Sequence, residues 1–126
     1  MPNAQCPIAN SPWLTLLKKH RAIAVIRADK KYLARQMALA VASGGMQLIE
    51  ITWNTPQAAE LIEQLRAELP NCIIGAGTLL NLSQMQQAIQ AGAQFLFTPH
   101  IDVSIIQAAV NLNIPIIPGA LTPTEI

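Results

Sequence analysis

The sequence alternates between short apolar runs and longer segments with helical periodicity, and this alternation limits the chain to a small set of folds. The apolar runs lie at residues 22–27, 48–54, 72–78, 94–99 and 114–118. Between them, hydrophobic residues recur every three or four positions, as they do on the buried face of an amphipathic helix. Strands and helices that alternate with a period of roughly 20 to 26 residues predict βα units and a parallel sheet. Two architectures have this pattern, an open doubly wound sheet and a (β/α)8 barrel.

Helix boundaries are predicted from capping residues and prolines. Ser11 followed by Pro12 predicts a leading helix that ends near His20. The predicted caps of the later helices are Asp29, Thr55 before Pro56, Ser83 in a capping box with Gln86, and either Asp102 or Ser104. A further helix is expected to begin at Thr122-Pro123. The prediction is therefore an N-terminal helix followed by five strands and four helices, with a loose leader at residues 1–10.

Chain length and composition fit a single α/β domain. The 126 residues are enough for one hydrophobic core and too few for two ordinary domains. Hydrophobic residues make up 52% of the chain and charged residues only 12%, whereas charged residues usually make up about a quarter. Strands that are buried on both faces account for this excess of apolar residues.

Charge and composition exclude several classes of partner. The net charge is +1 without a basic patch, so nucleic acid is not expected to bind. No apolar run reaches the ~18 to 20 residues of a membrane span, and residues 1–5 lack the features of a secretory signal. Cys6 and Cys72 have neither metal-binding spacing nor a disulfide framework. We therefore expect no metal, no membrane partner and a cytoplasmic location.

The second apolar run carries a carboxylate into a segment that should be buried. Ile49 and Ile51 alternate with Glu50 and Thr52, so a strand here would place the two polar residues on the face opposite the isoleucines. A buried carboxylate is costly unless it is hydrogen-bonded, protonated or reached by substrate and water. Glu50 is therefore either a structural residue satisfied by backbone donors or a catalytic residue.

Polar residues recur where the predicted strands end, and this recurrence favours the barrel. These residues are Arg27, Glu50 with Thr52 and Asn54, Thr78 and Thr98. In a barrel, the carboxyl ends of the strands converge on one mouth, where barrel enzymes keep their catalytic groups. The first βα turn, residues 27–29, has no glycine-rich fingerprint, which disfavours a dinucleotide-binding sheet. The convergence also favours the catalytic interpretation of Glu50.

Five short motifs then identify a resemblance to a known family. They are Ala24-Val25-Ile26-Arg27-Ala28, Leu48-Ile49-Glu50-Ile51-Thr52, Gly75-Ala76-Gly77-Thr78-Leu79, Phe97-Thr98-Pro99 and Ile116-Ile117-Pro118-Gly119. In this order and spacing they resemble the 2-keto-3-deoxy-6-phosphogluconate and 4-hydroxy-2-oxoglutarate aldolases. Each motif alone is weak, but five in register over about residues 13–126 form a strong match.

The resemblance implies a class I aldolase that releases pyruvate, folded as a (β/α)8 barrel and assembled as a homotrimer. In that family a lysine forms a Schiff base with the keto carbon, so that the C3–C4 bond can break to an enamine and an aldehyde. The implied substrate is a keto acid, either a 2-keto-3-deoxy-6-phospho-sugar acid or 4-hydroxy-2-oxoglutarate. No cofactor is implied.

Residues that match the family's motifs take their expected roles from it. Glu50 matches a strand-two glutamate that shuttles protons through water. Arg27 matches an arginine whose fork can bind a carboxylate or phosphate bidentately. Thr78 matches the threonine of the GAGT turn near the pyruvate end. Pro99 and Pro118-Gly119 would line the mouth, although stiff turns at strand ends explain them equally well.

Two features depart from the family's pattern. Asn54 occupies the position after Trp53 where many members have an arginine, and Asn-Thr-Pro resembles the phosphogalactonate type, which affects substrate identity rather than reaction class. The family's Schiff-base lysine lies on strand six, whereas this sequence has no lysine after Lys31. We therefore expect residues 1–126 to be a single partial barrel domain, truncated and inactive alone. Lys30 is not expected to substitute, because a helix start is usually too wet to lower an amine pKa.

Two alternative functions remain open on the sequence. A half-barrel would be an assembly module without catalysis, because a parallel sheet stopped at five strands leaves two edges and one face uncovered. Other small barrel enzymes that handle phosphorylated substrates, such as thiamine-phosphate-synthase-like proteins, have the same βα rhythm. They do not require Glu50 beside Thr52 together with an Ile-Pro-Gly sequence after strand five.

Overall fold

A computed structural model describes residues 11–126, so the predicted leader at residues 1–10 lies outside the described residues. The helices in this part of the chain are α1 Pro12–His20, α2 Lys31–Ser43, α3 Ala58–Glu68, α4 Leu82–Gln90 and α5 Val103–Asn111. The strands are β1 Ala24–Ile26, β2 Leu48–Thr52, β3 Ile73–Gly77, β4 Leu96–Thr98 and β5 Ile116–Pro118. The predicted order of one leading helix, then five strands and four helices, is confirmed. The helix expected at Thr122-Pro123 is instead a 3₁₀ turn over Pro123–Glu125.

The five strands form one parallel sheet in the order β1-β2-β3-β4-β5. Every strand lies beside the next one in sequence, so all βα crossovers advance in one direction and place their helices on one face. A doubly wound sheet instead reverses its strand order partway along the chain. The sequential order is that of consecutive strands in a (β/α)8 barrel, and it confirms the predicted fold class.

The hydrophobic core lies between the sheet and its helices. Ile49, Ile51 and Ile74 are fully buried on the helix-facing side of the strands, together with Leu61 of α3 and Met85 of α4. Full burial of such a side chain contributes about 1.5–3 kcal/mol relative to exposure. Because side chains alternate along a strand, this packing directs Glu50 and its equivalents on neighbouring strands to the opposite, inner face.

The inner face is packed by aromatic rings at the level of Gly75. Phe95, just before β4, is fully buried, and its ring occupies the space that a side chain at Gly75 would fill. The ring stacks on Trp13 of α1 with centroids 4.8 Å apart and meets Phe97 edge-on at 5.9 Å. Helix α1 therefore covers part of the inner face. The covered part lies at the level of Gly75, which is nearer the amino ends of the strands than Gly77.

Two predicted helix caps are wrong because the chain turns differently before the helices begin. Helix α2 has Lys30 at its N-cap in an extended conformation, in place of Asp29. Helix α3 has Gln57 at its N-cap with a left-handed backbone of φ 55°, in place of Thr55. Neither N-cap side chain accepts a hydrogen bond from the helix. Thr55 is instead buried, and its hydroxyl contacts that of Thr52.

The capping box predicted for α4 lies two residues earlier than expected. Asn81 is the N-cap and accepts a hydrogen bond from the Gln84 backbone N–H at 2.9 Å. Gln84 Oε1 in turn accepts from the Leu80 backbone N–H at 2.8 Å. The Ser83 prediction failed because Asn81 and Gln84 have the same three-residue spacing and equally suitable side chains. For α5, Asp102 is confirmed as the cap.

The helices are short, between nine and 13 residues, which corresponds to roughly 14–20 Å at the usual rise per residue. Across residues 11–126 no helix has the length and apolar character needed to cross a membrane.

Candidate active site

The Glu50 side chain lies inside the protein and points toward the carboxyl ends of the strands. Glu50 pairs in register with Gly75, but its carboxylate occupies the space above Gly77, two residues further along β3. A Cβ atom added at Gly77 would collide with Glu50 Oε1 and would lie 3.0 Å from Glu50 Cγ. Glu50 is only 6% exposed. The absence of a side chain at Gly77 is therefore what allows the carboxylate to reach the mouth of the sheet.

Burial makes the Glu50 carboxyl harder to ionise. Desolvation raises its pKa above the ordinary value, and the positive charge of Arg27 lowers it in part. Among residues 11–126, no side chain or backbone amide donates a hydrogen bond to the carboxylate. The group combines a raised pKa with a nearby cation, which is the combination that general acid–base catalysis uses.

Arg27 joins the first three strands at their carboxyl ends. Its Nη2 donates to Thr78 Oγ1 at 3.1 Å, and its Nε donates to Thr52 Oγ1 at 3.4 Å. Both acceptors are neutral, so the charge of the guanidinium is not cancelled by these contacts. Arg27 is exposed, and its planar donor fork suits a carboxylate or phosphate ligand.

Thr78 has a strained backbone at the turn that follows β3. Its φ is 56°, in the left-handed region. That region costs a β-branched residue more than most others, because Cβ crowds the carbonyl that follows it. Such strain is found where the surrounding structure holds a residue in place, often at functional sites. At Thr78 it presents Oγ1 to Arg27.

Thr52, which accepts a hydrogen bond from Arg27, is paired with a further threonine, Thr55. Thr52 Oγ1 is 3.2 Å from Thr55 Oγ1, and both residues are buried. Sequence reasoning missed Thr55 as a site residue because Thr before Pro is a strong signal for a helix start. The signal that could have found it is the i, i+3 pairing of hydroxyls across a turn, which is weak without a structure.

Asn54 and Pro99, the other predicted substrate-binding residues, lie in turns after β2 and β4. Both are exposed. The side chain of Asn54 makes no hydrogen bond to another residue within 11–126. The carbonyl of Pro99 is 2.6 Å from the position that a Cβ at Gly119 would take, so the turn after β4 is in close contact with the turn after β5. The structure thus brings Glu50, Arg27 and Thr78 together, with Asn54 and Pro99 at the rim.

The lysines of this chain lie on or beside helices. Lys18 and Lys19 are in the last turn of α1. Lys30 is exposed at the N-cap of α2, and Lys31 Nζ is 3.5 Å from Glu60 Oε2. Within the described residues, no three His, Cys, Asp or Glu side chains cluster as metal ligands do.

A sequential parallel sheet with a buried carboxyl group and an exposed arginine at its carboxyl edge defines a barrel-type α/β protein whose polar side chains gather where the strands end. Comparison with known proteins identifies the group within that class. The family model for KDPG and KHG aldolase matches residues 14–126. The chain belongs to this aldolase family, in agreement with the resemblance found in its sequence motifs.

Individual relatives agree with the family assignment. The chain is 37% identical over 110 residues to the 2-dehydro-3-deoxy-phosphogluconate aldolase of Treponema pallidum, covering 87% of this chain and 52% of the relative. It is 36% identical over 112 residues to the KHG/KDPG aldolase of Escherichia coli, covering 89% and 53%. The crystal structure of KDPG aldolase from Legionella pneumophila, with pyruvate captured as a covalent carbinolamine intermediate, superposes with a TM-score of 0.75 at 33% identity, covering 82% and 50%. The chain spans about half the length of the relatives it matches.

Proposed function

We propose that this chain supplies the proton-transfer and keto-acid-binding part of a class I aldolase that yields pyruvate and an aldehyde. The observation that carries the proposal is the Glu50 carboxylate, buried on the inner face above Gly77 and close enough to Arg27 for the charge to alter its pKa. These two groups lie at the carboxyl edge of the sheet, where barrel enzymes carry out their chemistry.

The proposed mechanism divides the work between an amine and Glu50. A lysine, which the family resemblance places on strand six, attacks the keto carbon and forms a carbinolamine. Glu50 gives a proton to the carbinolamine hydroxyl, which leaves as water, and the imine forms. Glu50, now ionised, takes a proton through water from the C4 hydroxyl while the C3–C4 bond breaks. The products of that step are the aldehyde and an enamine, which is protonated at C3 and hydrolysed to pyruvate.

In this proposal, Arg27 and Thr78 bind the carboxylate of the substrate. The hydrogen bonds of the guanidinium go to neutral hydroxyls, so its donor fork has no carboxylate hydrogen-bonded to it within residues 11–126. A bidentate contact would also orient the adjacent keto carbon toward Glu50. Asn54, at the rim, would face the distal end of the substrate. Three candidate substrates should therefore be assayed side by side: the 2-keto-3-deoxy-6-phospho acids of the gluconate and galactonate types, and 4-hydroxy-2-oxoglutarate.

Two experiments test the proposal. The first incubates the chain with pyruvate and borohydride and measures its mass. We expect no reduced pyruvyl adduct, because Lys30 is exposed and Lys31 is paired with Glu60. A stable adduct would contradict the expected inactivity of the isolated chain. The second titrates pyruvate against the chain by NMR. Binding that Arg27→Gln abolishes supports the proposal, and binding that is absent or unchanged in Arg27→Gln contradicts it.

A chimera tests the catalytic role of Glu50. Residues 1–126 would be joined to the second half of the Escherichia coli relative, and cleavage to pyruvate would be followed. We expect Glu50→Gln to lower kcat about 10²–10⁴-fold, as is typical of a lost general acid–base group. Glu63→Gln, an exposed glutamate on α3, is the matched control and should leave the rate unchanged. Equal rates for both variants would contradict the role of Glu50.

The family resemblance implies a homotrimer and the cysteine pattern predicts a cytoplasmic location, and we extend the proposal to both. Light scattering of the assembled enzyme measures the first, and fractionation of the source cells measures the second.

A second candidate function is self-assembly through the open edges of the sheet, favoured by an apolar groove along β5. The groove has a volume of about 880 Å³ and is lined mainly by α1, α5 and β5, including Trp13, Ile106 and Val110. At the opposite edge, Val25 of β1 is 58% exposed. A second copy of the chain would bring its β1 edge beside β5 and continue the parallel sheet, as a head-to-tail contact.

Size-exclusion chromatography with light scattering tests self-assembly. Concentration-dependent oligomers that Val110→Asp disperses would support it, with Leu33→Asp on α2 as a control at another exposed site. A monodisperse monomer at all concentrations would contradict it.

A further inference from the structure

Thr55 is a buried hydroxyl with a defined set of neighbours. It is 2% exposed, in the turn between β2 and α3. Its backbone N–H donates to the Thr52 carbonyl at 3.0 Å, and its Oγ1 is 3.2 Å from Thr52 Oγ1. It does not cap α3, whose N-cap is Gln57. Its hydroxyl is therefore free to act on the neighbouring site.

Either hydroxyl can be the donor in the contact between Thr55 and Thr52, but the bond from Arg27 restricts how the Thr52 hydroxyl can turn. A guanidinium can only donate, so Arg27 Nε must use a lone pair of Thr52 Oγ1. The Thr52 hydroxyl hydrogen is then free to point at Thr55 Oγ1, the other oxygen within reach. In this arrangement Thr55 accepts, Thr52 presents its lone pairs toward Arg27, and each bond polarises the next.

The contact between Arg27 and Thr52 requires a lone pair of Thr52 Oγ1 to stay directed at the guanidinium, and the bond to Thr55 holds the Thr52 hydroxyl in such an orientation. At 3.4 Å it is longer than the 3.1 Å contact with Thr78, and it is near the outer limit of hydrogen bonding. An exposed arginine side chain has many rotamers, so the second contact is what fixes the plane of its donor fork. A Thr52 hydroxyl that turned toward Arg27 instead would repel it.

We propose that Thr55 is a positioning residue that acts through Thr52 to fix the Arg27 guanidinium beside the Glu50 carboxylate, and that it thereby sets the affinity for the carboxylate of a keto acid. The inference rests on the proposed function of Arg27 and Glu50. It adds a residue that contacts neither the substrate nor the reacting atoms.

The test compares Thr55→Val with Thr55→Ser in the full chain. Valine keeps the shape of the side chain without the hydroxyl, whereas serine keeps the hydroxyl. We expect Thr55→Val to weaken pyruvate binding about threefold to tenfold, the usual effect of one lost neutral hydrogen bond, and Thr55→Ser to restore it. Within residues 11–126, Arg27 is the charged group that lowers the pKa of Glu50. A less well-fixed Arg27 in Thr55→Val should therefore also raise the Glu50 pKa, which carbon-13 NMR measures.

Controls separate positioning from general destabilisation. Thr15→Val removes a threonine hydroxyl on α1 that donates to the Ser11 carbonyl, away from the carboxyl ends of the strands, and should leave both readouts unchanged. If Thr55→Val does not fold, Thr55→Ala provides the same comparison with less crowding. Thr52→Val combined with Thr55→Val should bind pyruvate no more weakly than Thr52→Val alone, because Thr55 acts through Thr52.

The outcomes distinguish this inference from the function on which it rests. Wild-type affinity and an unchanged Glu50 titration in Thr55→Val would overturn the positioning role, even if Arg27→Gln abolishes binding. Pyruvate binding that is unaffected by Arg27→Gln would overturn the proposed function itself. Additive effects of the Thr52 and Thr55 variants would also overturn the inference, since they would act independently.

Discussion

The carboxylate of Glu50 occupies the volume that a side chain at position 77 would need. Glu50 belongs to β2 and Gly77 to β3, and the two residues are offset by two positions in the strand register. The site thus depends on a missing side chain as much as on a present one.

Gly77→Ala should be strongly destabilising, because the new Cβ collides with Glu50 inside a packed sheet. Overpacking of this kind costs about 1–3 kcal/mol, which urea unfolding would measure. In a Glu50→Ala background most of this cost should disappear, since the colliding atoms are gone. Gly44→Ala, where the nearest atom is 3.5 Å away at the end of α2, is the matched control and should be nearly neutral. Equal costs of Gly77→Ala in both backgrounds would contradict the contact.

Stability should fall as pH rises through the titration of Glu50. Burial raises its pKa in the folded state, so the folded chain binds this proton more tightly than the unfolded chain, whose glutamates titrate near about 4.3. The contribution of Glu50 to stability is therefore fully present below that pH and is lost as pH rises through the higher folded pKa. Above the folded pKa, Glu50→Gln should be more stable than the wild type.

The measurement for this prediction is the difference in unfolding free energy between wild type and Glu50→Gln over a pH series. The difference is needed because other carboxyls act in the opposite sense. A hydrogen bond from Arg35 lowers the pKa of Glu68, and one from Ser104 lowers that of Asp102. A pH-independent difference would show that the Glu50 pKa is unchanged by folding.

Thr78→Gly should cost little stability despite the loss of a side chain. The left-handed backbone costs a residue with a Cβ about 1–2 kcal/mol, whereas glycine adds about 0.5–1 kcal/mol of unfolded-state freedom. The free energy of unfolding should therefore stay within about 1 kcal/mol of wild type. Thr98→Gly, at the equivalent end of β4 with no positive φ, should lose about 1–3 kcal/mol because a part-buried hydrogen bond and the packing of a buried side chain are removed. Similar losses for both variants would contradict the strain at Thr78.

Asn81→Ala should destabilise the chain by about 1 kcal/mol, as the loss of an N-cap usually does. Ser83→Ala should change stability by less than about 0.5 kcal/mol, because Ser83 is exposed within the first turn of α4. Thermal or urea unfolding of the two variants measures both effects. A larger loss for Ser83→Ala would place the start of α4 where the sequence had predicted it.

The sequence was sufficient to predict the fold class and the face of the sheet on which the Glu50 side chain lies. Period-two alternation in residues 48–52 places the isoleucines toward the helices and Glu50 inward, and the structure confirms this. Burial and alternation are properties of a segment and its hydrophobicity, so they can be read without coordinates. The same holds for the strand-end positions of Arg27 and Thr78, which follow from the parallel arrangement.

Other features depend on contacts that a sequence does not encode locally. Thr55 has the residue type and neighbours of a helix cap, and only the path of the turn decides that its hydroxyl faces Thr52. Asn81 and Ser83 both have the spacing of a capping box, and a preference between them requires the helix start itself. The GAGT motif marks the family in the sequence, but the space that Gly75 and Gly77 leave for other side chains depends on the neighbouring parts of the sheet.

The two glycines of β3 also limit which substitutions this sequence can accept during evolution. Gly75 leaves room for the ring of Phe95, just before β4, and Gly77 leaves room for the carboxylate of Glu50 on β2. A larger residue at either position is tolerable only if the intruding side chain becomes smaller in the same lineage. Related sequences should therefore covary at positions 75 and 95, whereas position 77 should stay glycine for as long as selection retains the acid at position 50.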